Sequence, residues 1–261
     1  MSFPIIIANR SAKILGALTK ALSYPFHMLF PNKRFTIPVK SEVILKSSRD
    51  TKIPKIIWQT NYTNKVSLPI YINYLYNRLM SLDYEYNYVS HEDRLEYIQK
   101  NASKEMATAF EQLTDGAAQA DLWRLFVLSN EGGIYMDIDA HAVWPLSRMI
   151  KSDDQEVFLM NKEHFTNYFI ATTQNNPVLD KCVDLVVDNI EKKRLGSGVY
   201  ELTGPGVLNK AIGDKEVNHR YYRETCIQGS FTNEYFQYID KPRGKWTHAK
   251  NEDLLKDTDE K

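Results

Sequence analysis

The sequence predicts an α/β fold with a mostly parallel central sheet. Short apolar runs typical of buried strands alternate with stretches of helical periodicity, an order typical of layered α/β proteins. The predicted elements are strands at 53–60, 84–89, 134–140, 156–160 and 169–172, and helices at 68–80, 92–99, 103–113, 117–129, 177–193 and 206–212. Ligands of such sheets bind beyond the carboxyl ends of the strands, so a functional site is expected there.

Length and composition are those of an ordinary globular protein. The chain has 261 residues, of which 43% are hydrophobic and 25% charged, which is enough to bury a sizeable core. Its 33 basic and 33 acidic residues balance, and this argues against nucleic acid as a partner. The two cysteines, Cys182 and Cys226, lack a C-x-x-C spacing, so free thiols in a reducing cytoplasm are expected.

We divide the chain into an N-terminal appendage at 1–50, a main domain at 51–250 and a charged tail at 251–261. In the appendage, apolar residues with helical spacing are interspersed with positive charges: Ile14, Leu15, Ala17, Leu18, Ala21 and Leu22, with Arg10, Lys13 and Lys20. This pattern predicts either an amphipathic helix on an anionic membrane surface or a helix packed on the main domain. No run of 18 apolar residues occurs, so no transmembrane helix is expected.

The most informative segment is 132–139, Gly-Gly-Ile-Tyr-Met-Asp-Ile-Asp. In a strand, Tyr135, Asp137 and Asp139 would share one face, with the two carboxylates about 7 Å apart along the backbone. Aspartate is depleted in strands and like charges repel, whereas a divalent cation between the acids would remove the repulsion. Oxygen ligands suit Mg²⁺ or Mn²⁺, which can also bind a nucleotide diphosphate. The alternative is a pair of solvated acids at an exposed strand end.

The helix predicted before this segment carries two further candidates. Asp115 can cap the helix at its start, and Gly132 and Gly133 can end it. Asp121 and Arg124 are three residues apart, so they lie on one face and can reach the same ligand. They could hold sugar hydroxyls, or they could form an ordinary surface ion pair.

Four motifs in a fixed order carry a family resemblance. They are Ile53-Pro54-Lys55-Ile56-Ile57-Trp58-Gln59, Ala118-Gln119-Ala120-Asp121-Leu122-Trp123-Arg124, the segment 132–139, and Leu202-Thr203-Gly204-Pro205-Gly206. Together they resemble the family 32 glycosyltransferases, whose members contain a sugar-binding region with a DXD motif. The family includes the yeast initiating α-1,6-mannosyltransferase and many bacterial capsule and lipopolysaccharide enzymes, and the clostridial toxin glucosyltransferases are similar to it at a greater distance.

The resemblance implies a GT-A fold with a Rossmann-like sheet and a role for each of several residues. The implied metal ligands for Mn²⁺ or Mg²⁺ are Asp137, Asp139 and His248, with His141 as a competitor of His248. The implied catalytic residues are Asp121, Arg124 and Asp139. The implied binding residues for the nucleotide-sugar are Trp58, Gln59, Asp121, Arg124, Tyr135 and Asp137. Trp58 would stack on the base, as in the toxins, although many family members have His there and a core tryptophan is the alternative.

The function implied is retaining transfer of a sugar from a nucleotide-diphosphate sugar, preferably a UDP-sugar, to a hydroxyl of a surface polysaccharide or lipopolysaccharide. The acceptor would be a glycan or lipid-linked glycan, with peripheral membrane contact through residues 1–35. The expected location is the cytoplasm, at the inner face of the bacterial cytoplasmic membrane. Two alternatives remain, a metal-dependent phosphoesterase or nucleotidyltransferase and a non-catalytic sugar-binding protein of the same fold. The loop 196–206, with four glycines, predicts a lid or an exposed turn.

Overall fold

The centre of the protein is a mixed sheet, seen in a computed structural model that describes residues 2–241, 244, 247 and 250–256. The strands are β1 Phe35–Thr36, β2 Lys40–Ser41, β3 Ile56–Thr60, β4 Lys65–Val66, β5 Glu85–Val89, β6 Gly133–Met136, β7 Ala140–Ala142, β8 Glu156–Asn161, β9 His164–Thr172, β10 His219–Tyr221 and β11 Cys226–Gln228. The main sheet has the order β10-β8-β9-β6-β3-β5-β2, and the pairs β1-β4 and β11-β7 form two small sheets. In the main sheet β6, β3 and β5 are parallel, as are β10 and β8, and the other pairs are antiparallel. The predicted α/β fold class is confirmed.

Helices cover the sheet in two layers. The helices are α1 Phe3–Leu29, α2 Leu68–Leu79, α3 His91–Asn101, α4 Lys104–Gln112, α5 Gly116–Glu131, α6 Leu146–Met149, α7 Pro177–Glu191, α8 Val199–Leu202, α9 Pro205–Ile212, α10 Tyr222–Thr225 and α11 Glu234–Gln237, followed by a 3-10 turn at Asn251–Asp253. One buried cluster joins α3, α4, α5 and α7 to Tyr135, and a second joins α2 and α6 to Ile134 and Met136. Neighbouring side chains of β6 therefore enter opposite layers, as strand alternation requires.

The passage from α5 into β6 depends on a cap and two glycines. Asp115 begins the helix, because its carboxylate accepts a hydrogen bond of 2.9 Å from the backbone N–H of Ala117. Gly132 and Gly133 follow the helix with φ angles of 69° and 102°, which lie in the region that favours glycine. A Cβ on Gly133 would lie 2.7 Å from the carbonyl oxygen of Ile56, so the glycine also permits the close approach of β6 to β3.

The strand predicted over 134–140 is wrong in its second half. β6 ends at Met136, and a turn follows in which the N–H of Ala140 donates to the carbonyl oxygen of Asp137 at 3.0 Å. The chain then forms β7, which pairs with β11 instead of the main sheet. Aspartate favours turns, and the apolar alternation continues through this one because Ile138 still enters the cluster of Ile134 and Met136.

The N-terminal segment is joined to the rest of the chain by strand pairing. β1 pairs with β4 and β2 pairs with β5, and α1 packs beside α2 and α10. The division of the chain at residue 50 stays a prediction. Of the predicted tail, residues 257–261 lie outside the described residues. None of the described helices combines the length and apolar character needed to cross a membrane.

Candidate functional site

A cavity of about 890 Å³ lies beyond the carboxyl ends of the parallel strands. Thr60, His91 and Asp137, which follow or end β3, β5 and β6, all line it. The first turns of α5 and the segment 228–238 contribute further walls. Its volume is within the range of ligand pockets, about 300–1,000 Å³. The cavity is therefore where the α/β topology predicts a ligand.

The two acids of the central motif converge on one point of the cavity. The side-chain amide of Gln228 donates hydrogen bonds to Asp137 Oδ2 at 2.9 Å and to Asp139 Oδ1 at 3.0 Å. Burial, followed by the neighbouring Asp137 carboxylate, raises the pKa of Asp139 to about 7. The raised pKa indicates that the site disfavours a second negative charge unless a positive group is present. Sequence reasoning missed Gln228, which lies on β11.

The carboxylate oxygens of Asp137 and Asp139 are suitable ligands for a hard divalent cation. Two carboxylates on one turn provide oxygen ligands, which Mg²⁺ and Mn²⁺ prefer. Within the described part of the chain, no third His, Cys, Asp or Glu completes a cluster with Asp137 and Asp139. The predicted ligand His248 lies outside the described residues, so its role stays a prediction.

His141, the competitor of His248, lies outside the cavity. Its ring is buried between those of Tyr76 and Phe231, with ring centroids 5.7 Å and 5.3 Å away. Burial lowers the pKa of His141 to about 4. The ring is therefore a core side chain, packed between α2 and the segment that follows β11.

Asp121 and Arg124 form a buried network and not a surface ion pair. They are 6% and 5% exposed. Arg124 Nη2 lies 2.9 Å from Asp121 Oδ1, and its Nη1 lies 3.2 Å from Asp137 Oδ1. Asp121 also accepts hydrogen bonds from Asn167 at 3.0 Å and from Thr203 at 3.1 Å. The helix α5, the acid pair and the Thr-Gly-Pro motif thus meet in one network.

Burial affects the ionisation of the acid and of the guanidinium in this network differently. Burial raises the pKa of Asp121 to about 6, although Arg124 opposes the shift. Burial lowers the pKa of Arg124, but Tyr135 and the acids outweigh it and raise the value, so the guanidinium stays charged. Tyr135 supports the arrangement, because its hydroxyl donates to Asp137 Oδ1 at 2.7 Å and its ring lies 4.4 Å from the guanidinium. Three acids around one arginine leave a negative centre suited to a cation.

Gln59 and Trp58, both on β3, are not among the residues that line the cavity. Gln59 is fully buried, and its amide donates to the carbonyl oxygen of Asp137 at 3.1 Å, so it positions the acid turn and does not line the cavity. Trp58 donates from Nε1 to the carbonyl oxygen of Gly132 at 3.0 Å and packs edge-on against Trp123. Strand alternation directs its ring toward α5, and the base-stacking role of Trp58 stays a prediction.

Other aromatic groups line the cavity at the strand ends. Tyr62 follows β3 and His91 begins α3 after β5, and both face the cavity. Tyr62 is half-buried, and the ammonium of Lys241 lies 6.0 Å from its ring centroid. Aromatic faces at this position can bind a nucleotide base.

Arg94 is a further cavity residue that sequence reasoning missed. It lies on α3, is 2% exposed and lines the cavity. Its Nη1 donates to the carbonyl oxygen of Gly116 at 3.1 Å, while its buried Nε has no hydrogen-bond partner. Burial lowers the pKa of Arg94 to about 10, and no described acid forms an ion pair with it. A buried guanidinium without an acid is costly, so the site favours an anionic ligand.

The segment 196–206, predicted as a loop, contains α8 and the start of α9 and forms another wall of the cavity. Val199, Tyr200, Gly204 and Pro205 line it, and Thr203 connects the segment to Asp121. The segment therefore lies beside the expected donor, and its role as a lid stays a prediction.

The fold is similar to that of a solved glycosyltransferase domain. The structure aligns with that of PaToxG Glycosyltransferase at a TM-score of 0.51 and 22% identity, over 80% of this chain and 78% of that chain. Residues 69–165 match the family model described as glycosyltransferase sugar-binding region containing DXD motif. The resemblance predicted from the four motifs is thereby confirmed.

Two proteins are similar to this chain in amino-acid sequence. A toxin of Photorhabdus asymbiotica is 34% identical over 104 residues, which are 37% of this chain and 3% of the toxin. The initiation-specific alpha-1,6-mannosyltransferase of Schizosaccharomyces pombe is 23% identical over 226 residues, which cover 72% of this chain and 53% of that enzyme. The chain thus spans about half or less of the length of these relatives.

Proposed function

We propose that the protein is a metal-dependent, retaining glycosyltransferase. It would move a sugar from a nucleotide-diphosphate sugar, with UDP-sugars tested first, to a hydroxyl of a surface polysaccharide or lipopolysaccharide acceptor. The observation that carries this proposal is the acid pair at the end of β6, joined through Arg124 to Asp121 inside a cavity of about 890 Å³. The family match and the GT-A-type fold support the reaction class.

In this proposal Asp137 and Asp139 hold Mn²⁺ or Mg²⁺, with His248 as the predicted additional ligand. The bound cation would offset the negative charge that develops on the departing diphosphate. Asp121 grips the donor sugar. Its Oδ2 accepts a hydrogen bond from Thr203 and, since a carboxylate oxygen can accept two, it keeps one position for a sugar hydroxyl.

The transfer itself would need no nucleophile from the protein. The acceptor oxygen attacks the anomeric carbon on the face from which the nucleotide leaves, so the configuration is retained. The bond from the anomeric carbon to the phosphate oxygen breaks, and the proton of the acceptor hydroxyl passes to that oxygen. Arg124, fixed by Asp121 and Asp137, stabilises the developing charge because it is already oriented.

A donor screen tests the function. UDP-sugars and GDP-mannose are incubated with the protein and Mn²⁺, and the released nucleotide and sugar are measured with and without EDTA. We expect release of a free sugar and a nucleoside diphosphate from one donor, abolished by EDTA. Release of inorganic phosphate or a nucleoside monophosphate would instead indicate the phosphoesterase or nucleotidyltransferase, and donor binding without turnover would indicate a sugar-binding protein.

We propose that Arg94 binds the diphosphate of the donor. Replacing Arg94 by Gln should lower the affinity for UDP by about 10–100-fold, because a hydrogen bond to a charged group contributes about 1.5–3 kcal/mol. Calorimetric titration with UDP and with uridine measures this effect. Uridine binding should be nearly unchanged, since uridine has no phosphate.

Arg78 is the matched control for Arg94. It is also buried, but its guanidinium donates to the carbonyl oxygens of Tyr84 and Glu42. Arg78→Gln should affect stability without a selective loss of UDP affinity. Equal losses of UDP and uridine binding in Arg94→Gln would assign Arg94 a purely structural role.

A further inference from the structure

The helix α1 packs on the protein with its small and polar side chains. Its buried residues are Asn9, Ala12, Gly16, Thr19, Ser23 and His27. The large apolar side chains of the same helix point away from the protein and are exposed: Phe3, Ile7, Ile14, Leu15, Leu18, Leu22, Met28 and Leu29, with Phe30 following. Leu22 is 68% exposed and Met28 76%. A soluble surface helix normally has the reverse arrangement.

Specific contacts hold the helix in this orientation. A Cβ on Gly16 would lie 2.4 Å from the carbonyl oxygen of Ser230, so the glycine allows the backbones to touch. Asn9 donates to the carbonyl oxygen of Arg223 at 2.8 Å, and Lys20 donates to that of Gly229 at 3.1 Å. Because these contacts fix the small and polar side of α1 against the protein, the apolar side of the helix faces outward.

The chain segment that carries this apolar face contains basic residues and no acidic ones. Residues 1–41 contain no acid and six basic residues: Arg10, Lys13, Lys20, Lys33, Arg34 and Lys40. Arg34 pairs with Asp240 and Lys40 with Glu85. The other four form no ion pair with a described acid. A second copy of the chain would bring the same positive charge against this face, whereas an anionic surface complements it.

We propose that α1, together with residues 28–30, binds the surface of an anionic lipid bilayer. The apolar side chains enter the boundary between headgroups and acyl chains, and the lysines and arginines contact lipid phosphates. This is the binding mode of amphipathic helices that lie in the plane of the interface. The stripe of small residues keeps the helix attached to the protein while the opposite face stays available to lipid.

The bilayer-bound helix would then lie beside one wall of the cavity. Gly16 and Lys20 contact the segment 228–236, and the hydroxyl of Tyr24 accepts a hydrogen bond from Asn233 at 2.8 Å. Asn233 lines the cavity, and Gln228 of the same segment bridges the acid pair. If the proposed transfer reaction is correct, on which this step rests, the acceptor is a glycan attached to a membrane lipid.

Vesicle sedimentation with the full chain tests the docking surface. Vesicles of phosphatidylcholine alone are compared with vesicles that contain about one third phosphatidylglycerol, at low and high salt. We expect the protein to sediment with the anionic vesicles at low salt and much less with the others. The double variant Leu18→Glu, Leu22→Glu should bind at least about 10-fold more weakly, because two charges replace inserted apolar side chains.

A matched control is the double variant Ile44→Glu, Leu45→Glu, which changes two other exposed apolar residues. It should bind vesicles as the unchanged protein does. Donor hydrolysis in solution should be the same in both double variants, so loss of lipid binding is distinguished from failure of the proposed reaction. Equal sedimentation with both vesicle types, unchanged binding of Leu18→Glu, Leu22→Glu, or a dimer in solution that this variant dissociates would overturn the proposal.

Discussion

Asp139→Asn is expected to lower sugar transfer by about a thousand-fold, which corresponds to about 4 kcal/mol of transition-state stabilisation. The substitution removes one charged oxygen ligand from the pair that would hold the cation. The same loss is expected for Asp137→Asn, which also loses charge at the partner of Arg124. Initial rates with saturating Mn²⁺ and the donor found in the screen measure the effect.

The fold should survive this change. Burial and the nearby Asp137 raise the pKa of Asp139 to about 7, so the folded protein disfavours the charged form and the neutral Asn should maintain or raise the melting temperature. Asp153→Asn is the matched control, because Asp153 is exposed and lies outside the cavity. Full activity of both Asp137→Asn and Asp139→Asn would end the metal hypothesis.

Arg124→Met should affect stability and activity together. Removing the Arg124 guanidinium leaves the buried Asp121 carboxylate without its ion-pair partner. Breaking such a buried pair costs about 3–5 kcal/mol. Transfer should fall by about 10²–10³-fold, because an oriented positive charge at the reaction centre is lost. Denaturant unfolding and initial rates measure the two losses.

The destabilisation should depend on pH. With Arg124 present, burial holds the pKa of Asp121 at about 6, and without Arg124 this pKa should rise further. When the pKa of a carboxyl group is raised in the folded state, the folded protein becomes less stable as the pH rises from the group's ordinary pKa to the raised value. The difference in unfolding free energy between Arg124→Met and the unchanged protein should therefore be smaller at pH 5 than at pH 8. A difference independent of pH would show that Asp121 does not take up the proton.

Two further variants separate charge from geometry. Arg124→Lys keeps the charge but cannot contact Asp121 and Asp137 at once, so it should retain more stability than Arg124→Met while transfer is still impaired. Arg194, which is half exposed and pairs with Asp188, provides the control Arg194→Met. This surface pair should contribute less than about 1 kcal/mol.

Local patterns in the sequence identified much of the fold and part of the site. The alternation of strands and helices predicted the α/β class, and Asp115 and the glycine pair predicted the start and end of α5. The separation of three residues placed Asp121 and Arg124 on one helix face. These features depend on residues only a few positions apart, so periodicity and capping chemistry reveal them.

Other features depend on contacts between distant segments. Gln228 reaches the acid pair from 91 residues away, and the turn after β6 forms because β7 pairs with β11. The unpaired charge of Arg94 becomes apparent only when α3 lies against the start of α5. No short sequence pattern specifies such contacts.

By itself the sequence determined the order of the elements, the acids at a strand end and the basic, acid-free N-terminal segment. The tertiary structure alone decided that Trp58 faces the core, that Tyr62 and Arg94 face the cavity, and that α1 turns its apolar side outward. The physical reason is that a repeating pattern determines which side chains share a face, whereas the packing partner decides which face is buried.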